Sequence, residues 1–297
     1  MREIRLKARA KINLTLDVTG KREDGYHLLE TIMQTVALYD GIYMKKLEKP
    51  VIKLKTNLPW LPTDARNLAW KAANLMRETF GIKEGVFIEI DKRIPVAAGL
   101  AGGSTDCAAV LVGMNRLFGL GLSEAQLEEV AGRLGSDIPY CIRRGTVLCE
   151  GVGEVMTNVA HPCPDCYVVL AKLPVSVSTA SVYKQLRWQE IEQHPDTKAM
   201  LKAMEEKDVA KMGKLLSNVL ETVTIELHPR IAKNKSTFDG IRGGGCPHER
   251  QRSNGVCPVY GQSKGKKGGG SGETGVCPEG LLGNKNLSGT KRAERRT

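Results

Sequence analysis

The sequence predicts an α+β protein of two domains. Three observations lead to this fold class: strand-like and helix-like runs are mixed in both halves of the 297 residues, the composition is that of a globular chain, and a second unit with its own buried-strand run begins at about residue 156. Apolar residues make up 41% and charged residues 26%, which is typical of a chain that folds around hydrophobic cores. The predicted units are residues 1–155 and 156–237, followed by a tail over 238–297.

The net charge of +11 belongs mostly to the tail. Residues 240–297 hold 11 of the 44 Lys and Arg residues but 4 of the 33 Asp and Glu residues, so they contribute +7 and the rest of the chain +4. Aromatic residues are only 5%, so nucleic-acid binding has little support and stays an alternative for the basic tail alone. No apolar run approaches the roughly 18 residues of a membrane span, and the N-terminus lacks a signal-peptide core. We therefore expect a soluble, cytoplasmic protein without nucleic-acid or membrane partners.

The first unit begins with short apolar runs over residues 2–21, which suit two strands that meet near Lys11. A turn follows at 19–25. The other expected strands cover residues 26–36, 51–54, 86–90 and 145–150. The expected helices cover 67–80 with a cap at Thr63-Asp64, then 107–118, then Ser123 to Arg133 with a Ser123/Gln126 capping box.

The second unit is expected to contain a buried strand over 167–173 and helices from about 178, over 197–205 and over 208–215. Cys107, Cys141 and Cys149 lie in apolar stretches and are predicted to be core thiols. Cys163 and Cys166 form a lone C-x-x-C without a second pair or a nearby His, which favours an incidental loop and leaves zinc as the alternative. No metal ligand is assigned.

A glycine-rich stretch, PVAAGLAGGSTD, joins a predicted strand to a predicted helix at residues 95–106. Glycines let backbone amides approach a phosphate closely, the first helical turn leaves N–H groups unpaired, and the helix dipole adds positive charge. Neither G-x-x-x-x-G-K-[ST] nor G-x-G-x-x-G is present. The stretch therefore indicates an anion site, with an ordinary flexible turn as the alternative.

Lys11 and Asp137 are the candidate catalytic residues. Each alone is most simply a solvated charge or a turn residue. Together with the phosphate loop they fit phosphoryl transfer, which needs a cation near the transferred group and a carboxylate that accepts the hydroxyl proton. Tyr26 and His27 could stack on a base and hydrogen-bond to it, or could be an ordinary surface pair.

These motifs together resemble the superfamily of galactokinase, homoserine kinase, mevalonate kinase and phosphomevalonate kinase, the GHMP kinases. They are ARAKINL from residue 8, DGYH from residue 24, the glycine-rich loop, GSDIP from residue 135 and GVGE from residue 151. Within the superfamily, AKINL and DGYH at this spacing resemble the kinases of a cytidine-diphosphate-linked methylerythritol in non-mevalonate isoprenoid (terpenoid) biosynthesis. The resemblance covers residues 1–237, roughly.

The resemblance implies a ribosomal-S5-domain-2-like N-terminal unit and a ferredoxin-like C-terminal unit, with the site in the cleft between them. It implies that Asp137 is the general base, that Lys11 supports its charge, and that ATP and Mg²⁺ are used. The positions implied to bind the cytidine-diphosphate substrate are Asn13, Tyr26, His27, Thr179 and Tyr183. Those implied to bind ATP are Pro95, Val96, Ala97, Ala98, Gly99, Leu100, Ala101, Gly102, Gly103, Ser104 and Thr105.

The tail departs from this resemblance because a third glycine motif, M-S-G-S-G-P-T-V-F, is absent. Residues 238–297 instead hold 15 of the 32 glycines, a composition typical of a disordered tail. Codons can be written for Phe238 to Cys257 that, read one nucleotide later, give LMEYGAAAALMSGSGPTVF. We therefore hypothesise a frameshift near Phe238, a truncated second domain and impaired activity. The alternatives are a remnant that binds nucleotide without transferring phosphate, or another superfamily kinase such as homoserine kinase.

Overall fold

The computed structural model describes residues 1–172, 179–229, 256–261, 276–277 and 281–285, with residues 171, 179 and 180 and the last three stretches described by their backbone only. The strands are β1 (Glu3–Lys21), β2 (His27–Leu47), β3 (Ile52–Thr56), β4 (Gly85–Asp91), β5 (Thr146–Gly151), β6 (Val155–Asn158), β7 (Tyr167–Lys172), β8 (Ser217–Asn218), β9 (Val256–Gly261), β10 (Val276–Cys277) and β11 (Leu281–Lys285). The helices are α1 (Leu68–Thr79), α2 (Gly102–Phe118), α3 (Glu124–Gly132), α4 (Asp137–Arg143), α5 (Thr179–Gln185), α6 (Thr197–Glu205), α7 (Val209–Leu215) and α8 (Glu221–Leu227), with a 3₁₀ turn at Trp188–Glu190.

A long antiparallel hairpin, β1 with β2, is the frame of the molecule. The prediction of two strands over residues 2–21 is wrong: β1 is one strand, and the predicted junction is a register shift between Arg9 and Lys11. A bulge accommodates one extra residue without ending the ladder. At this point the Lys11 backbone N–H bonds to the Leu100 carbonyl oxygen at 3.2 Å, so the bulge is tied to the glycine-rich loop.

Seven strands form the first sheet, in the order β3-β4-β2-β1-β8, with β5 pairing with β2 and β6. Helices α1 to α4 cover one face, and their shared core contains alternate residues of the strands, such as Ile42, Met44, Ile88 and Ile90. The strands expected over residues 26–36 and 86–90 are confirmed as parts of β2 and β4, and β2 continues beyond the expected end to Leu47. This sheet and its helices confirm the α+β fold class.

A second, four-stranded sheet has the order β10-β11-β7-β9. Strands β9, β10 and β11 come from the segment for which composition predicts disorder. The domain bounds and the frameshift stay predictions. The two halves are interlocked, because β8 pairs in parallel with β1 through Thr15 and Leu16.

The N-terminal ends of helices α1, α2 and α4 carry residues that line the candidate site. The expected cap of α1 at Thr63-Asp64 is wrong, because the Asn67 side chain caps it by accepting from the Ala69 N–H at 2.9 Å. The Ser123 capping box is confirmed. Helix α2 begins at Gly102, five residues before the predicted start, so the glycines themselves form its first turn.

Within the described ranges, no helix combines the length and apolar character of a membrane span.

Candidate active site

A cleft of about 1060 Å³ lies between the glycine-rich loop and residues of the second half of the chain. It brings together most of the residues predicted for the site: Lys11, Asn13, Tyr26, His27, Pro95 to Ser104, Asp137 and Tyr183. Thr105 does not line the cleft, since its hydroxyl is buried and donates to the Arg9 carbonyl oxygen at 2.7 Å. Thr179 begins α5, and its side chain lies outside the described residues.

The glycine-rich loop has a backbone that turns sharply into α2. Ala97, Gly99 and Ala101 have φ values of 53°, 69° and 55°, in the left-handed region. Ala101 precedes the helix and provides no side-chain cap, whereas Asn67 and Ser123 cap α1 and α3. The first-turn N–H groups of α2 therefore face the cleft without a capping side chain, which suits binding of phosphate oxygens.

Lys11 and Asp137 meet on one side of the cleft. Lys11 Nζ lies 3.7 Å from Asp137 Oδ2 and donates to Asn13 Oδ1 at 2.9 Å. The Lys11 side chain is 6% exposed and that of Asp137 is 43% exposed. The carboxylate can therefore contact a ligand in the cleft, whereas the ammonium is buried. Asp137 is the first residue of α4, rather than part of a turn, where the helix dipole favours a negative charge.

His27 and Tyr183 form a stacked aromatic pair across the cleft, with ring centroids 5.4 Å apart and planes at 26°. Partial burial, with the positive charge of Lys21 nearby, lowers the pKa of His27, so the ring is neutral at neutral pH. Tyr26 is 65% exposed beside this pair. The three rings offer flat surfaces on which a base can stack.

Buried thiols lie behind the Lys11–Asp137 pair. Burial, with the charge of Asp137 nearby, raises the pKa of Cys141. Burial likewise raises the pKa of Cys107 and of Cys149 to about 12. The prediction that these three are core thiols is confirmed. Cys163 and Cys166 are also buried, in a second apolar core that includes Ile12 and Leu14 of β1. Across the described residues, no group of three or more His, Cys, Asp or Glu side chains could hold a metal ion.

The sequence analysis missed an ion cluster at the back of the cleft. Lys92 Nζ donates to Asp106 Oδ2 at 2.8 Å and to Asp40 Oδ2. All three side chains are almost fully buried. Charged residues flanked by apolar neighbours were the available signal, but nothing local links Asp40 to a lysine 52 positions away.

The fold and the cleft define a GHMP-type small-molecule kinase. The GHMP kinases N terminal domain matches residues 67–145. Relatives named 4-diphosphocytidyl-2-C-methyl-D-erythritol kinase are 50% identical over 78% of this chain and 79% of the relative in Lachnoclostridium phytofermentans, and 51% identical over 77% and 79% in Caldicellulosiruptor saccharolyticus. The chain belongs to the 4-diphosphocytidyl-2-C-methyl-D-erythritol kinase family. It is thus an ATP-dependent phosphotransferase with an alcohol group as acceptor.

Solved structures agree with this assignment. A crystal structure of 4-(cytidine 5'-diphospho)-2C-methyl-D-erythritol kinase superposes with a TM-score of 0.72 and 29% identity, covering 88% of this chain and 91% of that one. A homoserine kinase from Cytophaga hutchinsonii shares the fold, with a TM-score of 0.66 and 18% identity over 89% of this chain and 86% of that one.

Proposed function

We propose that the chain transfers the γ-phosphoryl group of ATP to the 2-hydroxyl of 4-diphosphocytidyl-2-C-methyl-D-erythritol, in the cytoplasm, as a step of isoprenoid precursor biosynthesis. The observation that carries the proposal is the Lys11–Asp137 pair, 3.7 Å apart in the same cleft as the glycine-rich loop. A phosphate site facing a base and a cation has the parts that phosphoryl transfer needs.

The geometry supports the following proposed roles. Asp137 accepts the proton of the acceptor hydroxyl, and Lys11, anchored by Asn13, stabilises the oxygen that develops negative charge. The first turn of α2 binds phosphate oxygens through backbone N–H groups. Tyr26, His27 and Tyr183 bind the cytosine ring by stacking. Asn13, which also lines the cleft, and Thr179 complete the proposed substrate contacts.

Mg²⁺ fits this site when it arrives with ATP. The ion keeps several waters and usually takes one or two carboxylates together with phosphate oxygens, so no protein cage is needed. Asp137 and Asp24 both line the cleft with partly exposed carboxylates, and either would be available to an ion held by the phosphates. Bound there, Mg²⁺ would neutralise the negative charge of the phosphates.

The test is phosphorylation of 4-diphosphocytidyl-2-C-methyl-D-erythritol by the purified chain with ATP and Mg²⁺. Asp137→Asn should lower kcat about 100- to 10,000-fold, because the general base is lost. Asp91→Asn is the matched control: it removes a carboxylate paired with Arg93 at 2.7 Å outside the cleft, and turnover should not change. Turnover that survives Asp137→Asn would refute the role of the base.

The absent third glycine motif favours a second candidate, a remnant that binds ATP through the α2 loop without transferring phosphate. Nucleotide binding by a folded chain, with no product from any alcohol in a panel that includes homoserine, would identify it. Phosphorylation of homoserine but not of the cytidine-linked substrate would identify a different superfamily activity.

A further inference from the structure

The buried Lys92–Asp40–Asp106 cluster lies directly beneath the predicted phosphate site. A Cβ atom placed on Gly102, the first residue of α2, would lie 2.9 Å from Lys92 Nζ. Lys92 and Asp106 also line the cleft. The ammonium is therefore packed against the helix turn whose N–H groups face the cleft, so glycine at position 102 is what lets it approach so closely.

The two carboxylates of the cluster are bonded very differently. Asp40 Oδ1 accepts from the backbone N–H groups of Arg93 and Ile94, and its Oδ2 accepts from Lys92. Asp106 Oδ2 accepts from Lys92, but in the described part of the chain its buried Oδ1 has no hydrogen-bond partner. The Asp40 carboxylate thus accepts three hydrogen bonds, whereas that of Asp106 accepts one.

The charges of the neighbouring groups also favour a proton on Asp106. Burial first, and then repulsion from Asp40, raise the pKa of Asp106 well above its ordinary value despite the attraction of Lys92. The neighbouring Cys107 thiol, whose pKa burial raises to about 12, carries no charge at neutral pH. With a proton on Asp106, Lys92 is balanced by Asp40 alone. With Asp106 ionised, the cluster would carry a net negative charge beneath ATP phosphates.

We propose that Lys92 is a positioning residue of the nucleotide site, which fixes the first turn of α2 and lends its positive charge to the ATP phosphates, and that Asp106 is protonated in this arrangement. The inference rests on the proposed kinase function for the identity of the nucleotide. The cluster adds a buried, fixed charge to a loop that otherwise binds phosphate by backbone groups, and such preorganised charge is most effective where water is excluded.

The experiment measures binding of a non-hydrolysable ATP analogue with Mg²⁺ to the full chain by calorimetry, so it remains informative if the chain has no turnover. Asp106→Asn should bind within about twofold of wild type, because it replaces a neutral carboxyl with a neutral amide. Lys92→Gln in the Asp106→Asn background should bind about tenfold more weakly than Asp106→Asn alone. Lys55→Met, which removes a lysine paired with Glu89 at 2.9 Å outside the cleft, is the control and should leave binding unchanged.

Two readouts separate this role from a purely structural one. The infrared difference spectrum of wild type minus Asp106→Asn should show a protonated carboxyl band at pH 7.5. Where turnover is measurable, the Lys92 change should raise KM for ATP and leave KM for the alcohol within about twofold. Equal nucleotide affinity with and without Lys92, or a carboxylate band from Asp106, would overturn the proposal. If Lys92→Gln does not fold in that background, the variant that also carries Asp40→Asn takes its place, because it leaves no buried charge of the cluster unpaired.

Discussion

Arg144 has a backbone conformation that glycine adopts more easily. It ends α4 with φ 66° and ψ −173°, a region that is essentially restricted to glycine. The Arg144 side chain contributes little in return, with a 3.4 Å hydrogen bond from its Nε to the Cys141 carbonyl oxygen.

Arg144→Gly should stabilise the protein by about 1 kcal/mol, because the strain of a residue in this region costs about 1–3 kcal/mol and the entropy of glycine offsets part of the gain. The measurement is the urea midpoint of unfolding. Arg133→Gly is the matched control, because Arg133 also ends a helix but has an ordinary φ of −70°. That change should lower the midpoint, and an equal effect of both changes would contradict the argument.

The buried thiols give a second prediction for single residues. Because burial raises the pKa of Cys107 and Cys149 to about 12, and also raises the pKa of Cys141, thiolate is negligible at pH 8. Iodoacetamide should therefore leave these three positions unmodified in the folded protein and label them in 8 M urea, as read by peptide mass spectrometry. Labelling of Cys141 in the native state would show that the back of the Lys11–Asp137 pair opens to solvent.

At the scale of elements, the start of α1 holds the loop that lines the cleft. Asn67 caps α1 through its Oδ1, and its Nδ2 donates to the Pro62 carbonyl oxygen at 2.7 Å. Leu61, Pro62 and Arg66 all line the cleft. One side chain thus fixes both the helix start and the wall of the site.

Asn67→Ala should destabilise the protein by about 1 kcal/mol, because a helix cap is lost. Asp64→Ala tests the cap predicted from sequence and should lower the thermal midpoint less, since among the described residues the Asp64 carboxylate bonds to the backbone N–H and the exposed side chain of Arg66 rather than to an N–H group of α1. Thermal unfolding followed by circular dichroism separates the two. A larger decrease of the thermal midpoint for Asp64→Ala than for Asn67→Ala would support the cap that was predicted from sequence.

What could be predicted from sequence was local. The Ser123 capping box is set by residues three apart, and the glycine-rich loop carries its anion-binding geometry in one stretch. Lys11 and Asp137 could be grouped because phosphoryl transfer needs a cation and a carboxylate, and only the family resemblance implied their separate roles. The Lys92–Asp40 contact and the β1–β8 pairing join residues far apart in sequence, so no periodicity or spacing indicates them. Tertiary packing alone brings them together.

At the scale of the whole molecule, the open question is the segment after residue 237. The family match leaves about a fifth of both this chain and its relatives uncovered. Codons that are permissible for Phe238 to Cys257 can encode, in the neighbouring frame, a helix-like segment and a glycine motif in place of the glycine-rich tail. The hypothesis of a frameshift therefore predicts that this segment limits both stability and turnover.

Replacing residues 238–257 with LMEYGAAAALMSGSGPTVF and continuing in that frame should raise kcat at least about tenfold, because a wall of the active site is regained. It should also sharpen the thermal transition. The control is the chain ended at residue 237, which should turn over no faster than the full chain. Equal turnover of the original and the reframed chain would show that the third glycine motif is dispensable, and gene sequence that does not encode the motif would remove the frameshift hypothesis.

The strand β1 has a consequence for the frameshift hypothesis. Its residues belong to three apolar cores in turn: Ala8 to the first, Ile12 and Leu14 to the second, Leu16 and Val18 to the third. Its long pairing with β2 joins neighbouring parts of the chain, whereas its short pairing with β8, through Thr15 and Leu16, joins residues some 200 positions apart. That partner is complete before residue 238. On the frameshift hypothesis, the changed segment therefore follows both described partners of β1, and the strands that it contributes belong to the second sheet.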